Sequence, residues 1–253
     1  GEGAAQALRL LGGQVLAELR SFARMLITLN GATPATPGEL VPTSSDWVTV
    51  IAPDQRAIYQ IVRDAQAAAE RQAKPGAKAE LMSDSASAVL AAGLTRVGLI
   101  ESPTATYDCG ASQQPQQCPQ LSLYYMHGLG HGIGLEVHDP DQFYFKGTLE
   151  TGSAFTIEPG IYVRENLLEI LPKTQRNEAL AARLRPAVTK FRNIGVRIED
   201  DYVISDQGLE WISRAPRELN EVEALMKEAL AGGPKRDTGK LEWYKRTAGP
   251  QAP

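Results

Sequence analysis

The stretch "MHGLGHGIGLEVHDP", residues 126–140, contains every histidine of the 253-residue chain: His127, His131 and His138. Glycines occupy positions 128, 130, 132 and 134 of the same stretch. Four glycines make a helix costly, so an extended segment is predicted, close to neighbouring backbone or to a ligand. In an extended segment His127 and His131 lie on one face, and His138 has to return to that face through a turn.

Three other interpretations of this stretch compete with a functional site. A zincin helix requires His-Glu-x-x-His, but Gly128 stands where the glutamate belongs. A GxGxxG dinucleotide loop does not fit glycines spaced by two, and no Walker lysine follows. Three histidines could also fill polar niches in a strand pair. Because all three cluster near acidic strands, a site is favoured, where imidazole binds a metal or transfers protons near neutral pH.

Two glutamates strengthen the case for a site. Glu158 lies in "FTIEPGIYV" and Glu199 lies in "VRIEDDYVI", each among apolar neighbours. Burying a glutamate there is costly unless it is paired or binds a metal. Either one could instead face outward, with Glu199 beside Arg197. Taken with the histidine stretch, they predict a His/Glu/Glu site for Mn, Co, Zn or Fe.

Composition excludes some classes of function and leaves others open. A net charge of −4 and a pI near 5.5 argue against a nucleic-acid partner. The longest nearly uncharged stretch, residues 25–38, is too short and too polar to span a membrane. Cys109 and Cys118 are either two loop thiols or a disulfide, and their spacing is too wide for a CxxC zinc pair. We favour the disulfide, which would suit an exported protein, and the compartment stays open between cytoplasm and export.

Sequence patterns predict an α+β fold with one main domain at 46–232, after an N-terminal helix and linker at 1–45 and before a polar tail at 233–253. Helices are predicted at 3–29, from Pro53 to 74–76, at 79–97 and at 219–230, and loops at 30–45 and 102–120. Strands are predicted within 152–163 and 195–213, separated by a solvated helical insertion at 167–193. The second and third helices should point these side chains inward: Ile58, Ile61, Val62, Ala65, Leu81, Val89, Leu90 and Leu94.

Three motifs together resemble a known family. "MHGLGHGIGLEVHD", "AFTIEPGIYV" and "GVRIEDDYVI" resemble, in order and wording, the pita-bread (creatinase/aminopeptidase-like) metallopeptidases, especially the Xaa-Pro aminopeptidase and prolidase branch. The helix beginning "PDQRAIYQ" is also similar to that branch. The resemblance implies a peptidase that hydrolyses Xaa-Pro bonds with a metal-activated water. It further implies a peptide substrate with proline at the second position, two divalent ions that are often manganese, and a homodimer.

The resemblance also implies a role for each matching residue. The implied metal ligands are His131, Glu158 and Glu199. Glu158 would also be the general base, and Glu199 would bridge the two ions. Three further side chains are implied to act beside the metals. His127 and His138 would hold the substrate and stabilise the tetrahedral intermediate, and Arg197 would lie next to the last ligand.

The chain departs from the family at its N-terminal side. The family carries two more aspartate ligands there, written roughly D-x-G and S-D-x-T-R-T. Asp46 could stand in for the second aspartate, and no aspartate precedes it. The pita-bread domain is therefore expected to be incomplete in its N-terminal half, with ligands for one ion rather than two. The alternatives to an active peptidase are a pita-bread binding protein with at most one metal and a truncated homologue.

Overall fold

The computed structural model describes residues 51–110, 116–139 and 147–231. The predicted N-terminal helix and linker at 1–45, Asp46, and the tail at 233–253 lie outside these residues. Within them the fold is α+β, as predicted, with four helices, seven strands and one short 3₁₀ helix. None of these helices is both long enough and apolar enough to cross a membrane.

Two packed helices, α1 (Pro53–Gln72) and α2 (Glu80–Arg96), confirm the second and third predicted helices. Pro53 begins α1, where a missing N–H costs nothing, and the Gln55 side chain accepts a hydrogen bond from the Ala52 amide at 3.0 Å. Gly93 lets the helices approach, because a Cβ there would lie 2.4 Å from Cγ2 of Ile61.

The inward faces of these two helices agree with the prediction except at Leu81, which is 42% exposed. The buried stripe of α2 instead begins at the residue after Leu81 and recurs mostly at three- and four-residue steps: Met82, Ala86, Leu90, Gly93 and Leu94. Leu81 lies one residue off this stripe, which turns it away from the core.

Five strands form the central β-structure. The predicted strand region 152–163 contains two strands, and the region 195–213 contains three. Strand β3 pairs antiparallel with β6, β6 pairs with β7, and β4 pairs with β5. The strands are β3 (Ala154–Ile157), β4 (Gly160–Tyr162), β5 (Gly195–Arg197), β6 (Asp200–Ser205) and β7 (Gly208–Trp211). The core lies against one face of this sheet, where Phe155, Ile157, Tyr202 and Ile204 are buried.

Helix α3 (Gln175–Phe191) corrects the prediction of a solvated insertion at 167–193. One side of it is buried at three- and four-residue steps: Asn177, Leu180, Leu184, Val188 and Phe191. The other positions carry enough charge to mask this apolar stripe in the composition of the segment. The helix is therefore part of the core packing. The last predicted helix is confirmed as α4 (Leu219–Ala231).

The segment predicted as a loop at 102–120 contains a short antiparallel hairpin, β1 (Thr106–Asp108) with β2 (Gln117–Pro119), and then a 3₁₀ helix (Gln120–Leu123). The favoured Cys109–Cys118 disulfide is present, with Cα atoms 5.7 Å apart. Side-chain contacts with α3 order the hairpin. Asn177 accepts a hydrogen bond from the Asp108 amide and donates one to the Asp108 carbonyl, which sequence periodicity alone does not reveal.

Removing this disulfide is expected to lower the free energy of unfolding by about 2–3 kcal/mol, because the cross-link closes a loop of sequence separation 9. The measurement is urea unfolding of the oxidised protein and of the Cys109→Ser/Cys118→Ser double variant. A reductant should shift the first curve and leave the second unchanged. Coincident curves for the oxidised protein and the double variant would show that the contacts with α3 are sufficient to hold the hairpin.

Candidate metal centre

Glu158 and Glu199 face each other across an interrupted two-stranded ribbon. On one side of the interruption Ile157 pairs with Asp200, and on the other side Gly160 pairs with Arg197. The pairing register is the same on both sides, so it places Glu158 opposite Glu199. Directly opposed residues of an antiparallel pair project their side chains to the same face. The two glutamates that the sequence singles out are thus a cross-strand pair.

The electrostatics of this pair favour a cation between the strands. Like charges placed directly opposite each other destabilise a sheet. Burial, followed by the charge of Glu158, raises the pKa of Glu199 above its usual value. A positive ion would relieve both the repulsion and the cost of burial.

His131 reaches the same face from a third segment of chain. Residues 129–133 run antiparallel along β3: the amides of Glu158, Thr156 and Ile133 donate to the carbonyls of Leu129, His131 and Ala154 respectively, at 2.7–3.0 Å. The register places His131 opposite Thr156, on the face that also carries Glu158. The predicted extended character of the histidine stretch is confirmed here, and a helical zincin site does not form.

The His131 ring is oriented with Nε2 toward the two glutamates. Its Nδ1 lies 3.0 Å from the Gly132 carbonyl, which can only accept a hydrogen bond, so Nδ1 carries the proton. With Nδ1 as the donor, Nε2 is the ring nitrogen left to bind a metal. Nε2 lies 3.3 Å from Glu158 Oε1 and 3.9 Å from Glu199 Oε1. A backbone carbonyl that fixes the tautomer in this way is common behind metal-binding histidines.

These three residues have the properties of a metal-binding set. One donor atom from each lies within 4.8 Å of the others. Two ligands that are each about 2.1 Å from one ion lie roughly 3–4 Å apart, close to the distances found here. His131 is 8% and Glu158 6% exposed, whereas the Glu199 side chain is 33% exposed. The set is therefore closed on one side and open on the other, as a substrate would require.

A glycine is required where the histidine segment passes β3. A Cβ on Gly130 would lie 2.0 Å from the Thr156 carbonyl oxygen and 2.9 Å from its Oγ1, whereas a Cβ on Gly128 would meet nothing closer than 3.8 Å. Two glycines in the same motif thus differ sharply in what an added methyl group would meet.

We therefore expect Gly130→Ala to lower the free energy of unfolding by about 1–3 kcal/mol and to weaken metal binding, because β3 and His131 have to separate. Gly128→Ala is the matched control and should change stability by less than about 0.5 kcal/mol. Urea unfolding and metal titration of both variants measure this. Equal effects of the two substitutions would contradict the close approach at Gly130.

A chain of hydrogen bonds links Glu158 to His127. Arg197 Nη1 donates to Glu158 Oε2 at 3.1 Å, and Arg197 Nε donates to the Tyr162 hydroxyl at 2.6 Å. The hydroxyl lies 3.0 Å from His127 Nε2, and His127 Nδ1 lies 2.7 Å from the Gly128 carbonyl. Since that carbonyl only accepts, His127 Nδ1 carries the proton and Tyr162 donates to Nε2. Burial lowers the pKa of His127, which keeps the ring neutral.

His138 returns to the site as the sequence parity predicts. The chain bends at residues 134–136 and turns at residues 137–138, and the amide of Asp139 donates to the Gly132 carbonyl at 3.0 Å. The His138 ring then lies against that of His131, with ring centroids 4.3 Å apart in an edge-on arrangement. His138 itself is exposed. The structure thus brings five of the predicted residues together around His131: His127, His138, Glu158, Arg197 and Glu199.

Two residues that touch the site were not predicted from the sequence. Thr156 accepts from the His131 amide and donates to Glu158 Oε1, both at 2.9 Å. Tyr162 connects Arg197 with His127. Both follow the period of two that runs through Glu158, so strand alternation alone could have identified them. Asp201 shares this face, and burial together with the charge of Glu199 raises its pKa to about 6.

Comparison with known proteins agrees with the motifs. The model of metallopeptidase family M24 matches residues 43–206. Xaa-Pro aminopeptidase 2 of Streptomyces coelicolor is 36% identical over 180 residues, which are 69% of this chain and 33% of that protein. Xaa-Pro dipeptidase of Rattus norvegicus is 34% identical over 204 residues, 72% of this chain and 39% of that protein.

Solved structures are similar over the same extent. Aminopeptidase PepP of Pseudomonas aeruginosa matches with a TM-score of 0.51 and 32% identity, over 71% of this chain and 36% of that chain. A variant of Escherichia coli aminopeptidase P in complex with substrate matches with a TM-score of 0.52 and 26% identity, also over 71% and 36%. The chain therefore spans little more than a third of the length of these relatives. By its motifs, its sheet and these similarities, the chain belongs to metallopeptidase family M24, the pita-bread metallopeptidases.

Proposed function

We propose that this chain carries a His/Glu/Glu metallopeptidase site that hydrolyses Xaa-Pro peptide bonds. The observation that carries the proposal is the convergence of His131, Glu158 and Glu199 on one open face, with donor atoms within 4.8 Å of one another. Relatives named as Xaa-Pro aminopeptidases and as an Xaa-Pro dipeptidase support the bond specificity. Manganese is the ion we propose, with a homodimer as the assembly.

In this proposal the metal ligands are His131 Nε2 and the carboxylates of Glu158 and Glu199. One imidazole and two carboxylates suit a divalent ion of the manganese, cobalt, zinc or iron type. When bound, such an ion lowers the pKa of a water molecule and polarises the peptide carbonyl. The exposed side of Glu199 leaves room for substrate to approach.

Glu158 is the proposed general base. Its two oxygens are held differently: Oε1 accepts from Thr156 and faces His131, while Oε2 accepts from Arg197. A carboxylate fixed in this way is positioned to take a proton without having to reorient first. Arg197 also neutralises part of the negative charge that two opposed glutamates bring to the sheet.

His127 and His138 are the proposed substrate-binding side chains. The exposed ring of His138 packs on the metal-binding ring and can reach a substrate in the open face. His127 is half-buried and held by Tyr162 through Nε2. For His127 to donate to a substrate carbonyl, that hydrogen bond has to open and the ring has to take up a proton.

The test combines metal analysis with a peptidase assay. The 253-residue chain is dialysed against Mn²⁺, its bound metal is counted by mass spectrometry, and its hydrolysis of Gly-Pro and of an Xaa-Pro-Pro tripeptide is followed. We expect bound metal and release of the residue that precedes proline. A protein that binds no divalent ion under these conditions would refute the proposal.

A second candidate function, metal binding without turnover, is favoured by the number of ligands. Within residues 51–110, 116–139 and 147–231, His131, Glu158 and Glu199 form the one group of three or more such donors. Three ligands suffice for one ion, whereas two ions need more negative charge to offset their repulsion. A stoichiometry of one ion with no hydrolysis would support this function over the peptidase.

A further inference from the structure

A buried amide lies on the core side of the ribbon, directly behind the interruption. Gln66, on α1, has no exposed surface. Its Nε2 lies 3.2 Å from the carbonyl oxygen of Ile157 and 3.3 Å from that of Ile198. These two residues immediately precede Glu158 and Glu199. One side chain therefore contacts the backbone of both ligand-bearing strands.

The orientation of this amide is fixed by the chemistry of its partners. Nε2 also lies 2.9 Å from Asp200 Oδ2. Two carbonyl oxygens and a carboxylate oxygen can only accept hydrogen bonds, so all three require the donating end of the amide. A rotated amide would place its own oxygen against three acceptors in a buried environment, which is costly.

Pro159 explains why a donor is needed at this point. In the antiparallel ladder the Ile198 amide donates to the Pro159 carbonyl at 3.3 Å, and a residue other than proline at 159 would donate back to the Ile198 carbonyl. Proline has no N–H, so the ladder lacks that donor. The amide of Gln66 reaches the Ile198 carbonyl and supplies a donor in its place.

Asp200 connects the Gln66 amide to a network of hydrogen bonds. This buried carboxylate accepts from Trp211 Nε1 at 2.8 Å, from Ser213 Oγ at 2.6 Å and from Arg217 Nη1 at 3.0 Å. Gln66 thus joins the interruption to a network that holds β6 and the segment after β7.

We infer that Gln66 is a positioning residue for the metal ligands: its amide replaces the donor missing at Pro159 and keeps Glu158 and Glu199 opposite each other. The inference rests on the proposed metal site. Gln66 touches neither the open face nor a substrate, so it acts only through the backbone that carries the two ligands.

The test compares Gln66→Met with Leu90→Ala in the full 253-residue chain. Methionine fills a similar volume without a donor. Leu90 is a fully buried residue of α2, and its side chain makes no hydrogen bond to the ribbon, so Leu90→Ala controls for a general loss of stability. The first measurement is amide hydrogen exchange at Glu158 and Ile198 in chelator-treated protein. Gln66→Met should speed exchange at both amides at least about 10-fold relative to Leu90→Ala.

The second measurement is Co²⁺ binding, followed by calorimetry and by the visible spectrum of the bound ion. Gln66→Met should raise the Kd about 10- to 100-fold, as losing a group that orients a ligand does, and should alter the spectrum. Leu90→Ala should leave both unchanged well below its melting temperature. Equal exchange rates in the two variants, or equal Kd values, would overturn the inference. If the unsubstituted chain binds no Co²⁺, the proposed function fails, and the exchange measurement still decides the role of Gln66.

Discussion

His131→Ala is expected to weaken divalent metal binding by at least about 100-fold. The substitution removes the proposed nitrogen ligand, whose Nδ1 contacts the Gly132 carbonyl, and it leaves Glu158 and Glu199 facing each other without the imidazole. Losing a group that only orients a ligand costs roughly 10- to 100-fold in affinity, so losing the ligand itself should cost more. Calorimetric titration with Mn²⁺ and Co²⁺ measures the change.

His138→Ala is the matched control, because its ring packs against that of His131 but lies on the exposed side. We expect its metal affinity to change by less than about 10-fold while peptide hydrolysis slows. Equal loss of metal in the two variants would mean that His138 is itself a ligand, and the roles assigned to the two rings would have to be exchanged or merged.

Glu158→Gln should reduce kcat for an Xaa-Pro substrate by at least about 1000-fold. Glutamine keeps the size of the side chain and can still accept from Arg197, but it cannot accept a proton from water. General-base catalysis contributes about 10²–10⁴-fold, and the variant also loses the charge of a proposed metal ligand. The assay is run at saturating Mn²⁺, so that weaker metal binding does not by itself account for the loss.

An exposed glutamate provides the comparison for this substitution. Glu169 lies at the surface before α3, and Glu169→Gln removes the same charge from the chain. Its kcat should stay within about 2-fold of the unsubstituted protein, since surface charges away from a site have small effects. If Glu158→Gln retained more than about a tenth of the activity, another group would have to be the base.

Much of the site was predictable because it obeys the period of two. Glu158 and Tyr162 on one side of the ribbon, and Arg197 and Glu199 on the opposing side, all share a face once the register is known. The sequence indicated that the glutamates were out of place among apolar neighbours, and the glycines indicated a close backbone approach. Gly130 bears this out, since an added Cβ would meet the β3 backbone.

What the sequence did not reveal depends on contacts between distant segments. The paired strands β1 and β2 are linked by a disulfide and contacted by Asn177, which lies 69 residues away from Asp108. The charged residues on the rest of α3 obscured its apolar stripe in the sequence. Gln66 looked like an ordinary polar residue of a helix, because the acceptors of its Nε2 lie 91 to 134 residues further along the chain. No local pattern predicts such pairings.

Because the register is unbroken across Pro159, the same strand pairing determines which side chains enter the core and which face the site. Shifting either strand by a single residue would turn Glu158 or Glu199 into the apolar interior and bring Ile157 or Ile198 out to water. A shifted ribbon therefore has two free-energy costs: an apolar side chain is exposed to water, and a charged side chain is buried. A molecule that has packed its interior correctly has, by the same step, already lined up the acidic residues that we propose receive the ion.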